Sequence, residues 1–478
     1  MHQSTSFTYA PPSALLALVV GVALLAGVLG GCSPDKLVGS GQLPPDVSDP
    51  DATQTEQGAL AAYNGALVTF RSGVAGPLSS YIPLSGLIGD ELQTLGPSIG
   101  GWDSDLEETD RRVLPAFSDP TAEQRNSRAS WLYGDLYKSL HSARATAREA
   151  VRLLRRFAPS QPPALAGHLY AVEGYADVYL GDLFCSGVPL STVDDGGFTL
   201  RPGSTTAEAY EQAVALFDSA LAAATGSAPV LNLARVGKGR ALLALARYSE
   251  AAQAVAAVPD GFEHQLRFTV RVGADNQTVL DASFIRLFVG AENPFPFTIS
   301  PTMSDGEGGT GLDYRSSGDP RTASANYAWG PFGTPQFLPA KYSRRGDSPI
   351  TLADWREARL IEAEAALQGG DLTTWLNKLN HLRQSGIAPA LPDLADPGST
   401  DARVDLLFRE RAFWLFLTGH RQGDMRRLIR QYQRDPSAVY PVGTHPRGAA
   451  YGADVSAPVP AAERQFNRHF TGCIHRDA

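Results

Sequence analysis

Two short stretches match letter patterns that other proteins use for catalysis or for nucleotide binding. Residues 96–100 (GPSIG) fit the G-x-S-x-G pattern of a hydrolase nucleophile, which requires a buried strand before the serine and a helix after it. The flanking residues have neither pattern. Residues 306–311 (GEGGTG) fit the dinucleotide glycine spacing, but they lack the strand and helix that this motif needs. Neither stretch therefore has the context that its motif needs, and we interpret both as loops.

The sequence also lacks the patterns of cofactor and metal sites. It contains no H-E-x-x-H zinc motif, no phosphate-binding P-loop, and no group of histidines and carboxylates at metal-ligand spacing. The acids Asp305, Glu307 and Asp313 lack the order of a calcium-binding EF-hand, and we interpret them as solvated loop acids. We expect neither a cofactor nor a metal ion.

Aromatic side chains in glycine-rich segments are the remaining candidates for binding chemistry. Trp102 and Asp103 stand in the stretch GGWDSD, and Tyr314, Tyr327 and Trp329 stand in the Gly- and Pro-rich 300–340 segment. An aromatic ring offers a flat surface to the C–H face of a sugar, and a carboxylate accepts hydrogen bonds from its hydroxyls. We predict that Trp102 and at least one of the other three rings line one open face. The alternative is that the rings only pack the loops together.

The composition limits the kind of protein that can carry these residues. Of its 478 residues, 43% are hydrophobic and 19% are charged, as in folded globular proteins, and the length corresponds to about three domain equivalents. The net charge of −9 argues against nucleic-acid binding, which needs a basic surface. Arginine outnumbers lysine by 36 to 5, which favours planar ion pairs with carboxylates.

The N-terminal segment has the features of an export signal. Residues 14–29 (ALLALVVGVALLAGVL) are uniformly small or apolar, and this run is too short to cross a bilayer as a helix. It ends before Cys32 in a pattern that resembles the bacterial lipobox, although residues 1–13 lack the usual Lys or Arg. We predict a signal peptide over 1–31, acyl chains such as palmitate on Cys32, and a flexible tether over 32–53. The lipid would attach the protein to a membrane.

Two further cysteines, Cys185 and Cys473, remain after the predicted lipid attachment. An exported protein meets an oxidising environment, in which two spare thiols can form a disulfide. Nothing in the sequence brings these two residues together. A disulfide and a pair of unrelated buried thiols are therefore both open alternatives.

The periodicity of apolar residues divides the rest of the chain into three regions. Helical periodicity dominates 54–260, the segment 261–350 is loop-rich with short strands, and helical periodicity returns over 351–478 before an irregular tail. Residues 236–251 predict two helices joined by a tight turn, which resembles a tetratricopeptide hairpin. Alternating apolar residues from Leu266 to Val272 predict a strand.

Four segments stand in fixed order along the chain. They are residues 174–182 (GYADVYLGD) followed by 187–190 (GVPL), residues 355–365 (WREARLIEAEA) followed by 376–383 (LNKLNHLR), residues 409–427 (RERAFWLFLTGHRQGDMRR), and residues 458–463 (PVPAAE) with Asn467. In this order they resemble the SusD/RagB family of nutrient-uptake lipoproteins. The third segment matches the family's E-R … G-x-R-x-x-D-[LM]-x-R signature. Together with the lipobox, the four segments span nearly the whole chain.

The resemblance implies a mostly α-helical fold, with tetratricopeptide-like hairpins packed against a loop-rich irregular half that has a few short strands. Regions 54–260 and 260–478 would form one compact domain. The implied function is to bind a nutrient, first of all an oligosaccharide, and to deliver it to a SusC-type TonB-dependent transporter. Such a function breaks no covalent bond, so the resemblance implies a protein that is not an enzyme and has no catalytic residue. The protein would be lipid-anchored in the outer membrane, would face the cell exterior and would bind no nucleic acid.

Three other functions are compatible with the sequence. The same architecture could bind a peptide or another nutrient, or it could serve as a tetratricopeptide scaffold lipoprotein of envelope assembly. A surface hydrolase is the third, and it would need a close pair of carboxylates in a cleft.

The signature over residues 409–427 also makes physical sense as structure. Glu410, Arg421, Asp424 and Arg427 have the charges of a partly buried ion-pair network where two helices meet. We predict that these four side chains lie close together and that they stabilise the fold without binding the ligand.

Overall fold

The computed structural model describes residues 53–76, 79–95, 103–114, 129–194, 197–269, 271–272, 279–280, 282–285, 297–300, 311–327, 335–343, 346–446 and 448–477. Its α-helices, in chain order, are α1 (Glu56–Ala75), α2 (Tyr81–Ile88), α3 (Asp103–Asp110), α4 (Ala129–Phe157), α5 (Ala164–Leu183), α6 (Thr206–Ala223), α7 (Ala228–Ala244), α8 (Tyr248–Val255), α9 (Trp355–Gln368), α10 (Leu372–Ser385), α11 (Thr400–Trp414), α12 (Arg421–Arg430), α13 (Pro436–Val439) and α14 (Ala461–Phe466). The strands are β1 (Leu92–Thr94), β2 (Val188–Pro189), β3 (Thr192–Asp194), β4 (Gly197–Thr199), β5 (Gly203–Ser204), β6 (Glu263–Leu266), β7 (Arg271–Val272), β8 (Val279–Leu280), β9 (Phe297–Ile299), β10 (Ser324–Tyr327), β11 (Gln336–Pro339) and β12 (Ile350–Asp354).

Helical hairpins build the N-terminal region. Helix α5 packs against α4 and α6, and α7 packs against α6 and α8. The hairpin that the sequence predicts over 236–251 is present as α7 and α8. Helices α6 and α7 cross closely at Gly237, where a Cβ atom would lie 2.3 Å from the ring of Phe217 of α6. Only glycine fits there without a shift of the helices.

Local sequence signals fix where several helices begin. Thr205 and Glu208 form a capping box at the start of α6: Thr205 Oγ1 accepts from Glu208 N at 3.1 Å, and Thr205 N donates to Glu208 Oε2 at 2.7 Å. The carboxylate of Asp354 caps α9 by accepting from Glu357 N at 2.9 Å. These contacts satisfy backbone N–H groups that the first turn of a helix leaves unpaired.

A buried ion pair joins the N-terminal hairpins to the C-terminal helices. Arg240 of α7 donates to both carboxylate oxygens of Glu357 of α9, at 2.6 and 2.7 Å. Burial alone would raise the pKa of Glu357, but Arg240 and His420 outweigh it and lower that pKa to about 2. The pair therefore stays charged at neutral pH and holds α7 against α9.

The described strands are short and form antiparallel pairs: β1 with β9, β10 with β11, β12 with β6, β2 with β5, β3 with β4, and β7 with β8. The strand predicted from 266 to 272 is divided, because β6 ends at Leu266, where it pairs with Ile350 of β12, and β7 starts only at Arg271. Helices thus dominate the described residues, and the prediction of a mostly α-helical fold is confirmed.

The C-terminal tail returns to the end of α5. The Sγ atoms of Cys185 and Cys473 lie 1.98 Å apart, so the structure contains a disulfide across a sequence separation of 288. Beside it, Ile474 N donates to the backbone oxygen of Ser186 at 2.7 Å. In the chain-entropy description, closing so long a loop contributes up to about 5 kcal/mol by restricting the unfolded chain.

Asp424 is the centre of a buried cluster of charges between α11 and α12. It accepts hydrogen bonds from Arg411 at 2.8 and 3.0 Å and from Arg427 at 2.8 Å. Arg427 also pairs with Glu364 of α9. Burial alone would raise the pKa of Asp424, but Arg411 and Arg427 hold it well below its usual range. The carboxylate is therefore charged at neutral pH and joins α12 to α11, while Arg427 joins α12 to α9.

Glu410 and Arg421, the other two members of the predicted network, pair elsewhere. Glu410 pairs with Arg321 at 2.6 Å and with Arg383 at 2.8 Å, and Arg421 pairs with Asp90. Successive residues on a helix point about 100° apart. Glu410 and the next residue of α11, Arg411, which pairs with Asp424, therefore face different parts of the molecule. The expected single network is instead three clusters, within which only Asp424 and Arg427 contact each other.

We expect the substitution Asp424→Ala to lower the free energy of unfolding by about 3 kcal/mol, because it leaves two buried guanidinium groups without their carboxylate. Denaturant unfolding measures this loss. Asp401→Ala is the matched control on α11, since the exposed Asp401 contacts Arg434 at 3.3 Å on the surface. Loss of that surface pair should cost less than about 1 kcal/mol. Equal losses in the two variants would contradict a structural role for the buried cluster.

Candidate functional site

The structure separates the five predicted ligand residues into three groups. Trp102 and Trp329 lie outside the described residues, as does Cys32. Asp103 is the first residue of α3 and Tyr327 is the last residue of β10, but their side chains are outside the described part. Only Tyr314 has a described side chain.

Tyr314 is a core residue. Its side chain is 1% exposed, its ring stacks on that of Phe416 with centroids 4.8 Å apart, and its hydroxyl donates to Asp90 Oδ1 at 3.3 Å. The ring therefore has no open face for a sugar. Tyr314 was a candidate because it lies in a glycine-rich segment, and aromatic rings in such segments can point inward as well as outward.

Strands β1 and β9 connect the two regions that contain the other candidates. They are antiparallel, with Leu92 opposite Ile299 and Thr94 opposite Phe297. Residue 95 follows Thr94 and leads to the 96–102 segment, which ends at Trp102. In sequence, the segment that carries Trp102 thus follows the end of the pair that holds Thr94 and Phe297.

The hairpin of β10 and β11 packs on the same end of β9. Gln336 Nε2 donates to the Phe297 backbone oxygen at 2.9 Å, and Phe337 N donates to Thr298 Oγ1 at 2.9 Å. Gln336 is in turn the partner of Tyr327 across the hairpin. The segment 328–334, which contains Trp329, connects these two residues.

Four residues therefore meet at one place, which we call the strand end: Thr94, Phe297, Gln336 and Tyr327. The chain segments that carry Trp102 and Trp329 both attach to it. The described residues that flank these two segments are therefore close together, while Trp102 and Trp329 themselves lie outside the described residues, so the prediction of a shared aromatic face stays a prediction.

Helix α3 is fastened to the strand end by its last residue. The carboxylate of Asp110 accepts from Thr94 N at 2.8 Å, from Thr94 Oγ1 at 3.0 Å and from His445 Nε2 at 2.9 Å. A helix of eight residues is about 12 Å long. Asp103, at the other end of α3, is therefore about one helix length from the strand end.

Two acidic residues, Asp90 and Glu91, immediately precede β1 and hold the end of the strand that is farther from Thr94. Asp90 forms a bidentate pair with Arg421 at 2.6 and 2.7 Å, and it also accepts from Leu312 N at 3.2 Å. Glu91 Oε1 accepts from Leu417 N at 2.7 Å. Sequence reasoning missed both acids, because their partners lie more than 200 residues away along the chain and no local spacing marks them.

Glu91 is buried without a cation in hydrogen-bond contact. Burial raises its pKa to about 7, although the hydrogen bond from Leu417 N and the charges of Arg421 and Lys341 act in the opposite direction. Its Oε2 atom has no hydrogen-bond partner among the described residues. At mildly acidic pH the side chain is therefore protonated and neutral.

The described residues offer no other chemistry at this place. Within those ranges, no three His, Cys, Asp or Glu side chains come together as a metal site would require. None of the described helices has both the length and the apolar character needed to cross a membrane.

We expect the stability of the protein to depend on pH through Glu91. Because the pKa in the folded state, about 7, lies above the unfolded value of about 4.3, the contribution is full below pH 4 and is lost as the pH rises through 7. Relative to Glu91→Gln, the wild type should lose free energy of unfolding between pH 5 and pH 8. Parallel pH profiles of the two proteins would contradict the raised pKa.

Comparison with known proteins identifies the fold. No protein-family profile matches the sequence, and no curated protein matches it. Solved structures do match, at low sequence identity. A SusD superfamily protein from Bacteroides vulgatus has a TM-score of 0.61 at 14% identity, over 88% of this chain and 99% of its own.

Two further structures agree with that match. A SusD-like carbohydrate binding protein from Bacteroides vulgatus has a TM-score of 0.59 at 15% identity, over 87% of this chain and 97% of its own. A laminarin binding SusD-like protein has a TM-score of 0.58 at 14% identity, over 88% and 99% of the two chains. The chain therefore has the SusD-like fold that its four sequence segments predicted.

Proposed function

We propose that the protein binds a neutral oligosaccharide at the strand end and that it acts in nutrient uptake. The observation that supports this proposal is that residues flanking the two Trp-bearing segments in the chain, Thr94 before one and Tyr327 and Gln336 around the other, lie close together through Phe297 in a SusD-like fold. Proteins with that fold include ones named for carbohydrate binding and for laminarin binding. Aromatic rings held by a rigid base suit sugars, whose C–H faces stack on them.

The proposed ligand residues are Trp102, Asp103, Tyr327 and Trp329. Asp103 would accept hydrogen bonds from sugar hydroxyls, and the three rings would provide stacking surfaces. Tyr314 is not among them, since its hydroxyl is bonded to Asp90 in the core. Binding and transfer of a nutrient break no covalent bond, so the proposal includes no catalytic residue and no cofactor.

We further propose that the mature protein is held in the outer membrane by acyl chains on Cys32 and faces the cell exterior. The apolar run over 14–29 and the cysteine that follows it support this part of the proposal. The partner that we propose is a SusC-type TonB-dependent transporter, to which the bound oligosaccharide would be passed. This partner rests on the SusD-like fold and on the order of the four sequence segments.

We expect Trp102→Ala to weaken the binding of a neutral hexasaccharide by about 1–3 kcal/mol, which corresponds to roughly five- to 150-fold, with little change in melting temperature. Trp102→Phe keeps an aromatic face and should retain most of the affinity. Calorimetric titration of the full-length protein in detergent with laminarihexaose, maltohexaose and mannohexaose provides the measurement.

Two results of these titrations would contradict the proposal. Failure of the wild type to bind any neutral hexasaccharide, with binding of an extended peptide instead, would favour the peptide-binding alternative. Unchanged affinity in Trp102→Ala would remove Trp102 from the site.

We expect Cys32→Ala to abolish lipid attachment and to release the protein from the membrane fraction. The thioether to the lipid needs the Cys32 sulfur, whereas the matched variant Ser33→Ala changes the next residue without touching that atom. Metabolic labelling with a palmitate analogue and membrane fractionation of cells give the two measurements. Equal labelling of the two variants would show that Cys32 is not the lipid attachment site.

A further inference from the structure

A groove of about 860 Å³ lies elsewhere on the molecule, between α4, the β3–β4 hairpin and α14. Residues of α4 form its floor, the hairpin forms one wall, and α14 forms the other. None of its lining residues belongs to the strand end or to the ion-pair clusters described above. A volume of this size is typical of a small-molecule site.

Large apolar side chains stand exposed on both walls of the groove. Val193 and Phe198 are partners across the hairpin, so their side chains share one face. Phe198 is 80% exposed and Phe466 of α14 is 79% exposed. Leaving two phenyl rings in water is unfavourable, and an exposed apolar cluster of this kind usually marks a binding surface.

The lining residues of the groove that are not in ion pairs include one positive and one negative side chain. Lys138 has no ion pair among the described residues, and Glu463 accepts hydrogen bonds from two neutral donors, Tyr137 Oη at 3.1 Å and Asn467 Nδ2 at 2.9 Å. Arg144 is paired with the buried Asp177 at 2.5 Å, and Arg148 is paired with the buried Glu173. One cation and one anion thus remain for a ligand, which favours a neutral partner with both donors and acceptors over an ionic one.

His141 adds a hydrogen-bond donor on the floor. Its Nδ1 lies 3.0 Å from Arg144 Nη1, and because a guanidinium only donates, Nδ1 must accept and the proton must sit on Nε2. Burial, assisted by Arg144, holds the pKa of His141 well below its usual range, so the ring stays neutral. Nε2 is shielded from solvent and has no partner among the described residues. A small shift of the ring toward the groove would let a ligand hydroxyl satisfy this donor.

We propose that this groove is a second carbohydrate site, which binds a neutral oligosaccharide between Phe198 and Phe466. A pyranose ring has apolar C–H faces and a rim of hydroxyls. The two phenyl rings match its faces, and Lys138, His141 and Glu463 offer donors and an acceptor to its rim. The inference rests on the proposed function, since it assumes that the protein meets sugars. The groove residues are not among the ligand residues that we propose for the strand end.

The test uses the full-length protein with Trp102→Ala as background, so that binding at the strand end is weakened. Hydrogen exchange is measured with and without laminarihexaose, maltohexaose or mannohexaose at saturating concentration. One of the sugars should protect the backbone over 192–200 and 461–467. Adding Phe198→Ala and Phe466→Ala should remove this protection and weaken the remaining binding at least tenfold.

A matched pair of valines controls for unspecific effects. Val193 in the groove and Val68 on α1 are 45% and 46% exposed, so truncating either removes a similar surface. Val193→Ala should weaken the remaining binding two- to fivefold, and Val68→Ala should leave it unchanged. If the variant with both phenylalanine substitutions fails to fold, this comparison still tests whether the groove binds the sugar.

The failures of the two proposals can be told apart. If the wild type binds a hexasaccharide and protection never reaches 192–200 or 461–467, the groove is not a sugar site, and the function at the strand end stands. If the wild type binds none of the sugars, both proposals are overturned. Equal effects of the two valine substitutions on binding would also overturn the proposal that the groove binds sugar. A protein partner would then be the remaining explanation for the exposed rings of Phe198 and Phe466.

Discussion

The bidentate ion pair between Asp90 and Arg421 is the contact on which the proposed ligand site depends most. Both side chains are buried, and Arg421 donates to the two oxygens of Asp90 at 2.6 and 2.7 Å. A buried charge without its partner is costly, so the turn after α2 must lie against the start of α12. Burial alone would lower the pKa of Arg421, but Asp90 outweighs this effect and raises it. The strand that leads to Trp102 begins two residues after Asp90.

The same principle recurs throughout the molecule and explains its use of arginine. Arg240 with Glu357 holds α7 on α9, and Arg411 with Asp424 holds α11 on α12. A guanidinium fork can satisfy both oxygens of a carboxylate at once, which lysine cannot do. These pairs form a rigid helical base from which the less regular segments depart. A ligand site on loops needs such a base, because its affinity depends on side chains being held in place before the ligand arrives.

The sequence predicts features that depend on residues close together in the chain. It does not predict contacts between residues that are far apart in the chain. Residues 409–427 predicted the SusD-like fold, because helix-ending glycine and the charged residues around it are close in the chain. The partner of Arg421 could not be predicted, since Asp90 is 331 residues away. The strands of the ligand site have only three or four residues, too few for an alternating pattern. Tyr314 was misplaced for a related reason: its burial follows from Asp90 and Phe416, neither of which is a sequence neighbour.

The strand end is proposed to position a sugar site. A crystal structure of the full-length protein with a bound neutral hexasaccharide tests it most directly. We predict sugar rings against Trp102 and against Tyr327 or Trp329, within about one length of α3 from Thr94, with Tyr314 still bonded to Asp90. Sugar bound only at a distance from these residues, with Trp102 buried or on the opposite side of the molecule, would contradict it.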